Sequence, residues 1–315
     1  MQKRKLGKDG PEFTEIGLGT WAIGGPWEWG WGPQDDRDSL QTIQAALDAG
    51  INWIDTAPAY GLGHSEEIVG QALKGRRQQV YLATKCGLVW DERRNVTRNN
   101  RPESILREAE DSLRRLQTDY IDLYQIHWPD NSVPVEESWG ALVKLKEQGK
   151  IRYLGASNFD VDLLERCEAI HHVDSLQPPY SLLNRQVEEK ILPWCREHQT
   201  GVVAYSPLQS GLLTGKFDVS RLAKDDWRRK STYFREPQLS KNLKFAESLK
   251  PIAEKYGKTV TQLAISWVLM NNTVTSAIVG ARNPQQLQEI IGGADWKIDA
   301  EDMKTIEDLS EQILP

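Results

Sequence analysis

Residues 80–127 read VYLATKCGLVWDERRNVTRNNRPESILREAEDSLRRLQTDYIDLYQIH. The run at 80–85 is a β-type segment ending on a lysine, and the run at 120–127 is a second one ending on a histidine. Between them Ile105, Ala109, Leu113 and Leu116 recur at helical spacing behind Pro102. Proline suits the first helical position, where its missing N–H leaves no bond unmade, and one apolar stripe suits a helix lying on a sheet. Strand, amphipathic helix, strand is the unit of a parallel sheet crossed by helices.

The unit recurs in both directions. Upstream stand IGLG (16–19) and NWIDTA (52–57); downstream stand IRYLGASN (151–158), SLQPPY (175–180), GVVAYSPL (201–208) and TSAIVGA (275–281). Helix 38–49 carries Leu40, Ile43 and Leu47 on one face and meets a stop signal at Gly50. Eight β/α units in 315 residues predict an α/β protein with one domain, 1–315, folded as a (β/α)8 TIM barrel. No G-x-G-x-x-G follows an early strand, which disfavours an open dinucleotide-binding sheet. KRKLGKDGPEFTEIG (3–17), with Asp9-Gly10 at its turn, predicts a β-hairpin capping the barrel bottom. Residues 209–250 break the rhythm with polar, charged and aromatic side chains, and predict a long lid-like loop at the carboxyl-terminal face.

Composition bounds the partners. Hydrophobic residues make up 39% and charged residues 27%, enough for a substantial core. A net charge of −6 argues against nucleic acid, which demands a clustered basic surface. The longest apolar run, LAISWVLM (263–270), is too short to span a bilayer, and the first ten residues lack an apolar core region, so a cytoplasmic protein without membrane attachment is expected. Cys86, Cys167 and Cys195 are odd in number and widely spaced, which fits reduced thiols. His171 and His172 are adjacent and no cysteine pair completes a zinc-type set, so no metal site is expected.

Barrel enzymes place their chemistry at the carboxyl ends of the strands. Asp55, Lys85 and His127 occupy those ends on three successive strands, roughly 4.8 Å apart, and Tyr60 follows in the loop above Asp55. A desolvated lysine needs an anion, and Asp55 on the next strand is the natural partner. An ammonium near a phenol lowers its pKa and makes it a usable general acid. His127 could orient a carbonyl oxygen or relay the proton. Each residue also has a plainer role: a structural ion pair, a packing tyrosine, a core histidine. Joint placement on successive strand ends favours the catalytic reading.

GINWIDTAPAYGLGHSEEIVG (50–70) resembles the first signature of the aldo-keto reductases, with Asp55, Thr56, Ala57, Tyr60, Glu66 and Gly70 in place. The longer Y-G-x-G-x-S-E form (60–66) is similar to the branch holding bacterial oxidoreductases and potassium-channel β subunits. The resemblance continues through ATKCG, LYQIHWPD, IRYLGASNF, LQPPYSLLNR, AYSPLQSGLLTGK and VGARNPQQLQE, effectively the whole chain. It implies an NADPH-dependent reductase of aldehydes and ketones, with Asp55, Tyr60, Lys85 and His127 as catalytic tetrad and Tyr60 as proton donor.

The same resemblance assigns Ser157, Asn158 and Gln177 to the nicotinamide carboxamide and Tyr205 to the ring face, whereas without it Ser157-Asn158 reads as a helix cap before 160–171. It places Asp55 and Trp21 beside the cofactor as well, and runs the loop Ser206, Pro207, Leu208, Gly211, Leu212 and Lys216 over the pyrophosphate. Gly280, Arg282, Gln286 and Glu289 would hold the adenosine end, with Ile290 standing where the branch often carries Asn. Arg282 before a helix at 284–293 offers a seat for a 2′-phosphate, favouring NADPH over NADH; alone, it could equally be a solvated charge. Trp21, Trp27, Trp29, Trp31, Trp90 and Trp128 fall at the same barrel mouth and could wall the substrate pocket together with Tyr60 and His127, or serve as loop anchors. The expected partner is a small carbonyl or alcohol, and the expected assembly a monomer or weak homo-oligomer. A cofactor-binding regulatory subunit of the channel type is the rival reading, disfavoured by the near-immediate start of the capping strands. A Schiff-base lyase would need Lys85 without a carboxylate partner.

Overall fold

The computed structural model describes residues 1–314. Strands β1 (Lys3–Lys5) and β2 (Glu12–Thr14) form the expected antiparallel hairpin, with Arg4 opposite Phe13. Then follow β3 (Ile16–Gly19), α1 (Asp36–Asp48), β4 (Trp53–Asp55), α2 (His64–Ala72), β5 (Tyr81–Cys86) and a small hairpin of β6 (Leu88–Trp90) and β7 (Val96–Arg98). The chain continues through α3 (Pro102–Leu116), β8 (Ile121–Ile126), α4 (Val135–Glu147), β9 (Ile151–Ser157), α5 (Val161–Glu168), β10 (Ser175–Gln177), α6 (Ile191–His198) and β11 (Gly201–Ala204). Last come α7 (Gln238–Ser248), α8 (Lys250–Lys255), α9 (Val260–Met270), β12 (Val274–Gly280), α10 (Pro284–Ile291) and α11 (Ala300–Ile313).

Eight parallel strands close into one barrel in the order β3-β4-β5-β8-β9-β10-β11-β12, with β12 returning to β3. All eight predicted strands are its staves, and the β6–β7 hairpin, which the alternation of long elements concealed, is an addition to its rim. The apolar run at 263–270 lies in α9, a helix buried over most of its length, and no helix among the described residues is long and apolar enough to cross a membrane.

Strand alternation splits the core in two. Trp53, Ala83, Leu123, Val203 and Ile278 point inward with Leu6 and Phe13 from the hairpin, while Ile54, Leu82, Tyr124, Ile126, Leu154, Leu176, Val202 and Val279 point outward to the helices. The Phe13 and Trp53 rings stack at 4.6 Å and 11°, closing the bottom of the barrel. Trp53 fits because Gly17 faces it: a Cβ there would lie 2.0 Å from the indole. Continuing each inward series one step towards the carboxyl end reaches Asp55, Lys85 and Gln125, and two steps along β8 reaches His127.

The segment 209–250 is irregular only in part. It runs through short 3-10 turns from Gln209 to Phe234 and then becomes helical in α7. Leu212, Phe234 and Leu239 give it a small apolar core of its own.

Candidate active site

The three strand-end residues and Tyr60 converge. Lys85 Nζ donates to both Asp55 carboxylate oxygens at 2.8 Å, to the Thr56 carbonyl at 2.9 Å and to the Tyr60 hydroxyl oxygen at 3.1 Å. Lys85 is fully buried and Asp55 nearly so. The His127 ring stands edge-on to Tyr60 with centroids 5.7 Å apart. Asp55 also accepts from Gln177 Nε2 at 2.9 Å, tying β10 to the same cluster.

The turn carrying Tyr60 is built by its neighbours. Gly61, Leu62 and Gly63 all have left-handed backbones, which reverse the chain into α2. Gly61 abuts Gly24 so closely that a Cβ on it would lie 2.0 Å from the Gly24 carbonyl oxygen, and this contact brings the tryptophan-rich loop against Tyr60. Ser65 bonds Thr20 at 2.8 Å, while Glu66 accepts from Thr84 and Arg115 at 2.6 Å each. These signature residues thus anchor α2 to the barrel wall.

Burial governs the electrostatics. It depresses the Lys85 ammonium, against the opposing charge and hydrogen bond of Asp55 and the charge of Glu66. Burial and the Lys85 charge hold His127 well below its ordinary value, so its imidazole is neutral. The expectation for Tyr60 is corrected: burial, then Asp55, then Tyr205 hold its phenol well above the ordinary value. The Lys85 charge is spent on Asp55 in a dry site, so what it lends the phenol is a hydrogen bond to oxygen. That bond leaves the phenol's own proton free to be donated.

Asn158 Nδ2 donates to the His127 carbonyl and to Ser157 Oγ, both at 3.0 Å, and Asn158 Oδ1 accepts from the Tyr205 hydroxyl at 2.8 Å. Ser157 donates to the Gln177 carbonyl at 2.9 Å. The helix-cap reading of Ser157-Asn158 fails, because Asp160 caps α5 by accepting from Leu163 N–H. At the far side, Arg282 donates from Nε to Gln34 Oε1 at 2.8 Å and from its other nitrogens to the Trp31 and Pro33 carbonyls. Arg282 N–H donates to Gln286 Oε1, and Asn283 caps α10. Lys216 pairs with Glu289 at 3.2 Å, so the loop after β11 reaches α10. In that loop Ser206 and Gly211 have left-handed backbones, and Leu212 is buried against Phe234 and Leu239. Ile290 is buried in the outer core, which accounts for an apolar residue there.

This donor set fits a nicotinamide dinucleotide at both ends. Neutral amides and hydroxyls beside Tyr60 suit a carboxamide, and a guanidinium with a helix N-terminus beside Gly280 suits phosphate.

Tryptophans close the mouth unequally. Trp21 stacks on Tyr60 at 5.8 Å, Trp27 lies 6.1 Å from both, and Trp29 packs edge-on to Trp27 while its carbonyl accepts from the Trp21 indole. Trp31 lies under Arg228, Trp128 under Arg98, and Trp90 sits on the β6–β7 hairpin; none of these three joins the Tyr60 cluster. Trp227, which was not anticipated, stacks on Trp21 at 5.9 Å. It lies in the aperiodic segment, where no pattern marks it. Gln125 was also missed, although it shares the inward parity of Leu123 and His127 and contacts Gln177 at 3.3 Å.

Comparison with known proteins gives the family and the fold. The sequence matches the Aldo/keto reductase family over residues 15–311. It is 42% identical to the aldo-keto reductase YhdN of Bacillus subtilis, spanning 100% of this chain and 95% of that protein. It is 37% identical to the NADH-specific methylglyoxal reductase of Escherichia coli, spanning 99% of each. Among solved structures, the glycerol dehydrogenase AKR11B4 of Gluconobacter oxydans superposes with a TM-score of 0.91 at 43% identity, covering 99% of this chain and 96% of that one. The aldo-keto reductase AKR11C1 of Bacillus halodurans, in its holo form, gives 0.83 at 30% identity, with 98% and 96% covered.

Proposed function

The chain belongs to the aldo/keto reductase family, oxidoreductases acting on carbonyl groups, and we propose that it reduces aldehydes and ketones with NADPH, Tyr60 giving the proton. The observation that carries this reading is the Lys85 ammonium held between the Asp55 carboxylate and the Tyr60 hydroxyl oxygen, at 2.8 and 3.1 Å.

A nicotinamide cofactor held by Ser157, Asn158, Gln177 and Arg282 would supply hydride-transfer chemistry at the carbonyl carbon, in either direction. Tyr60 then transfers its proton to the substrate oxygen, and the ammonium 3.1 Å away stabilises the phenolate left behind. Asp55 keeps Lys85 charged in a site whose burial disfavours that charge. Neutral His127 steers the carbonyl oxygen towards Tyr60 as a hydrogen-bond donor. Trp21 and Trp27 cover Tyr60, with Trp227 stacked behind Trp21, and shed water from the reacting atoms.

Arg282 beside the cap of α10 supports NADPH, since a 2′-phosphate adds charge that only this cofactor carries. The NADH-specific relative makes the choice worth measuring. Methylglyoxal and the carbonyl counterparts of glycerol head the substrate panel because two similar proteins are named for such compounds; aromatic aldehydes join them because of the indole wall.

The test is Tyr60→Phe. Turnover is expected to fall at least a hundredfold while cofactor binding, read by fluorescence quenching, stays within twofold. Retained turnover removes Tyr60 from the donor role.

A further inference from the structure

Behind the barrel wall, on the inward face of α3, Glu108 is buried with 7% exposure. Its Oε2 accepts the Gly87 N–H and its Oε1 the Ser104 hydroxyl, both at 2.9 Å. The Gly87 N–H belongs to the same peptide unit as the Cys86 carbonyl, and that carbonyl accepts the His127 N–H at 2.9 Å. One peptide, starting one residue after Lys85, therefore joins the Glu108 carboxylate to the main chain of His127. The His127 carbonyl, in the next peptide unit, is held separately by Asn158 Nδ2 at 3.0 Å. Hydrogen bonds in series through amides polarise one another, and a charged acceptor at one end strengthens the run.

Resting on the carbonyl-reductase reading, we infer that Glu108 is a positioning residue for His127. Its carboxylate fixes the Cys86–Gly87 peptide from outside the barrel, and that peptide sets where the histidine stands against Tyr60. Packing alone does not call for a carboxyl here, since the rest of this helix face meets the sheet through Ile105, Ala109 and Leu116.

Burial raises the Glu108 carboxyl to about 7, against the lowering effects of the Gly87 and Ser104 bonds and of Arg107 and Arg115. The groups facing it from neighbouring elements are the Cys86 thiol on β5 and the Tyr124 hydroxyl on β8, both held well above their ordinary values and so neutral. Glu66 on α2 is engaged by Thr84 and Arg115, and Asn100 packs its amide oxygen against Gly87. The sign follows. Above about pH 7 the carboxylate is a charged acceptor for Gly87; as pH falls through that value it becomes a weaker neutral one, and the hold on His127 loosens.

The experiment compares wild type, Glu108→Gln and Glu108→Ala between pH 5.5 and 9, reading kcat, carbonyl KM and cofactor Kd. Wild-type kcat is expected to drop severalfold on acidification, with an inflection near pH 7. Glu108→Gln, which keeps a neutral acceptor, should be flat at the wild-type acid level, and Glu108→Ala lower still; cofactor Kd should stay within twofold throughout. A parallel arm needs no substrate: labelling the five histidines with 15N and following the His127 amide by NMR should show a pH-dependent shift in wild type that Glu108→Gln abolishes. Absence of carbonyl turnover in wild type would sink the functional reading and leave the NMR arm standing. A His127 amide whose titration is unchanged in Glu108→Gln, or a Gln variant retaining the wild-type kcat profile, overturns the inference.

Discussion

Lys85 shares three N–H donors among four oxygen acceptors, two of them on one carboxylate. A buried cation so surrounded has little freedom to move, and removing either Asp55 or the Thr56 carbonyl contact would free it to leave Tyr60. Arg282 is the contrasting cation. Its nitrogens meet neutral oxygens of Trp31, Pro33 and Gln34, while the nearby acid, Glu289, is taken by Lys216. Under the NADPH proposal a guanidinium held by neutral acceptors is left to pair with a phosphate. Under the NADPH reading, Arg282→Ala should raise the KM for NADPH about tenfold or more, in line with a lost charged hydrogen bond, and leave that for NADH within about twofold. Steady-state kinetics with both cofactors checks this, and an equal effect on the two removes Arg282 from the role. Asp55, Lys85 and His127 were legible because polar side chains at the ends of apolar strands stand out in a one-dimensional pattern, and Tyr60 because it follows Asp55 in the loop just above. Glu108 was not, because a glutamate on a helix reads as solvent-facing until the helix is docked.

The elements differ in how they hold these residues. Strands β4, β5 and β8 deliver Asp55, Lys85 and His127 by alternation alone, whereas Tyr60 depends on the left-handed turn before α2. Gly61→Ala would place a methyl against the Gly24 carbonyl at a φ of +65°, so either the turn or the tryptophan loop must shift. A fall of about tenfold or more in kcat is expected, with destabilisation of roughly 1–3 kcal/mol by thermal melting. An unaltered kcat would show that Tyr60 finds its place without the Gly24 contact. The same scale explains the element that sequence reading misjudged. Residues 209–250 concealed α7 behind a run of 3-10 turns whose side chains follow no period, while the plainer cap reading weighed for Ser157-Asn158 is fulfilled by Asp160 two residues later.

At the scale of the whole molecule, the hairpin and the active site sit at opposite ends of one barrel. Phe13 closes the bottom by stacking on Trp53, which stands one inward step below Asp55, so the phenyl ring is a layer further from the candidate site. Phe13→Ala should therefore cost about 3–5 kcal/mol in chemical denaturation while leaving the kcat of the folded protein within about twofold. A large loss of kcat at unchanged stability would contradict that separation. Strand count, helix faces, the hairpin and the strand-end places of Asp55, Lys85 and His127 were set by the amino-acid sequence itself, because period-2 and period-3.6 patterns and strand-end polarity are local properties of a chain. Only the closed barrel decided the protonated state of Tyr60, the meeting of Trp227 with Trp21, and the peptide linking Glu108 to His127. Those depend on which distant groups burial brings together and how much water it removes, and no local pattern encodes either.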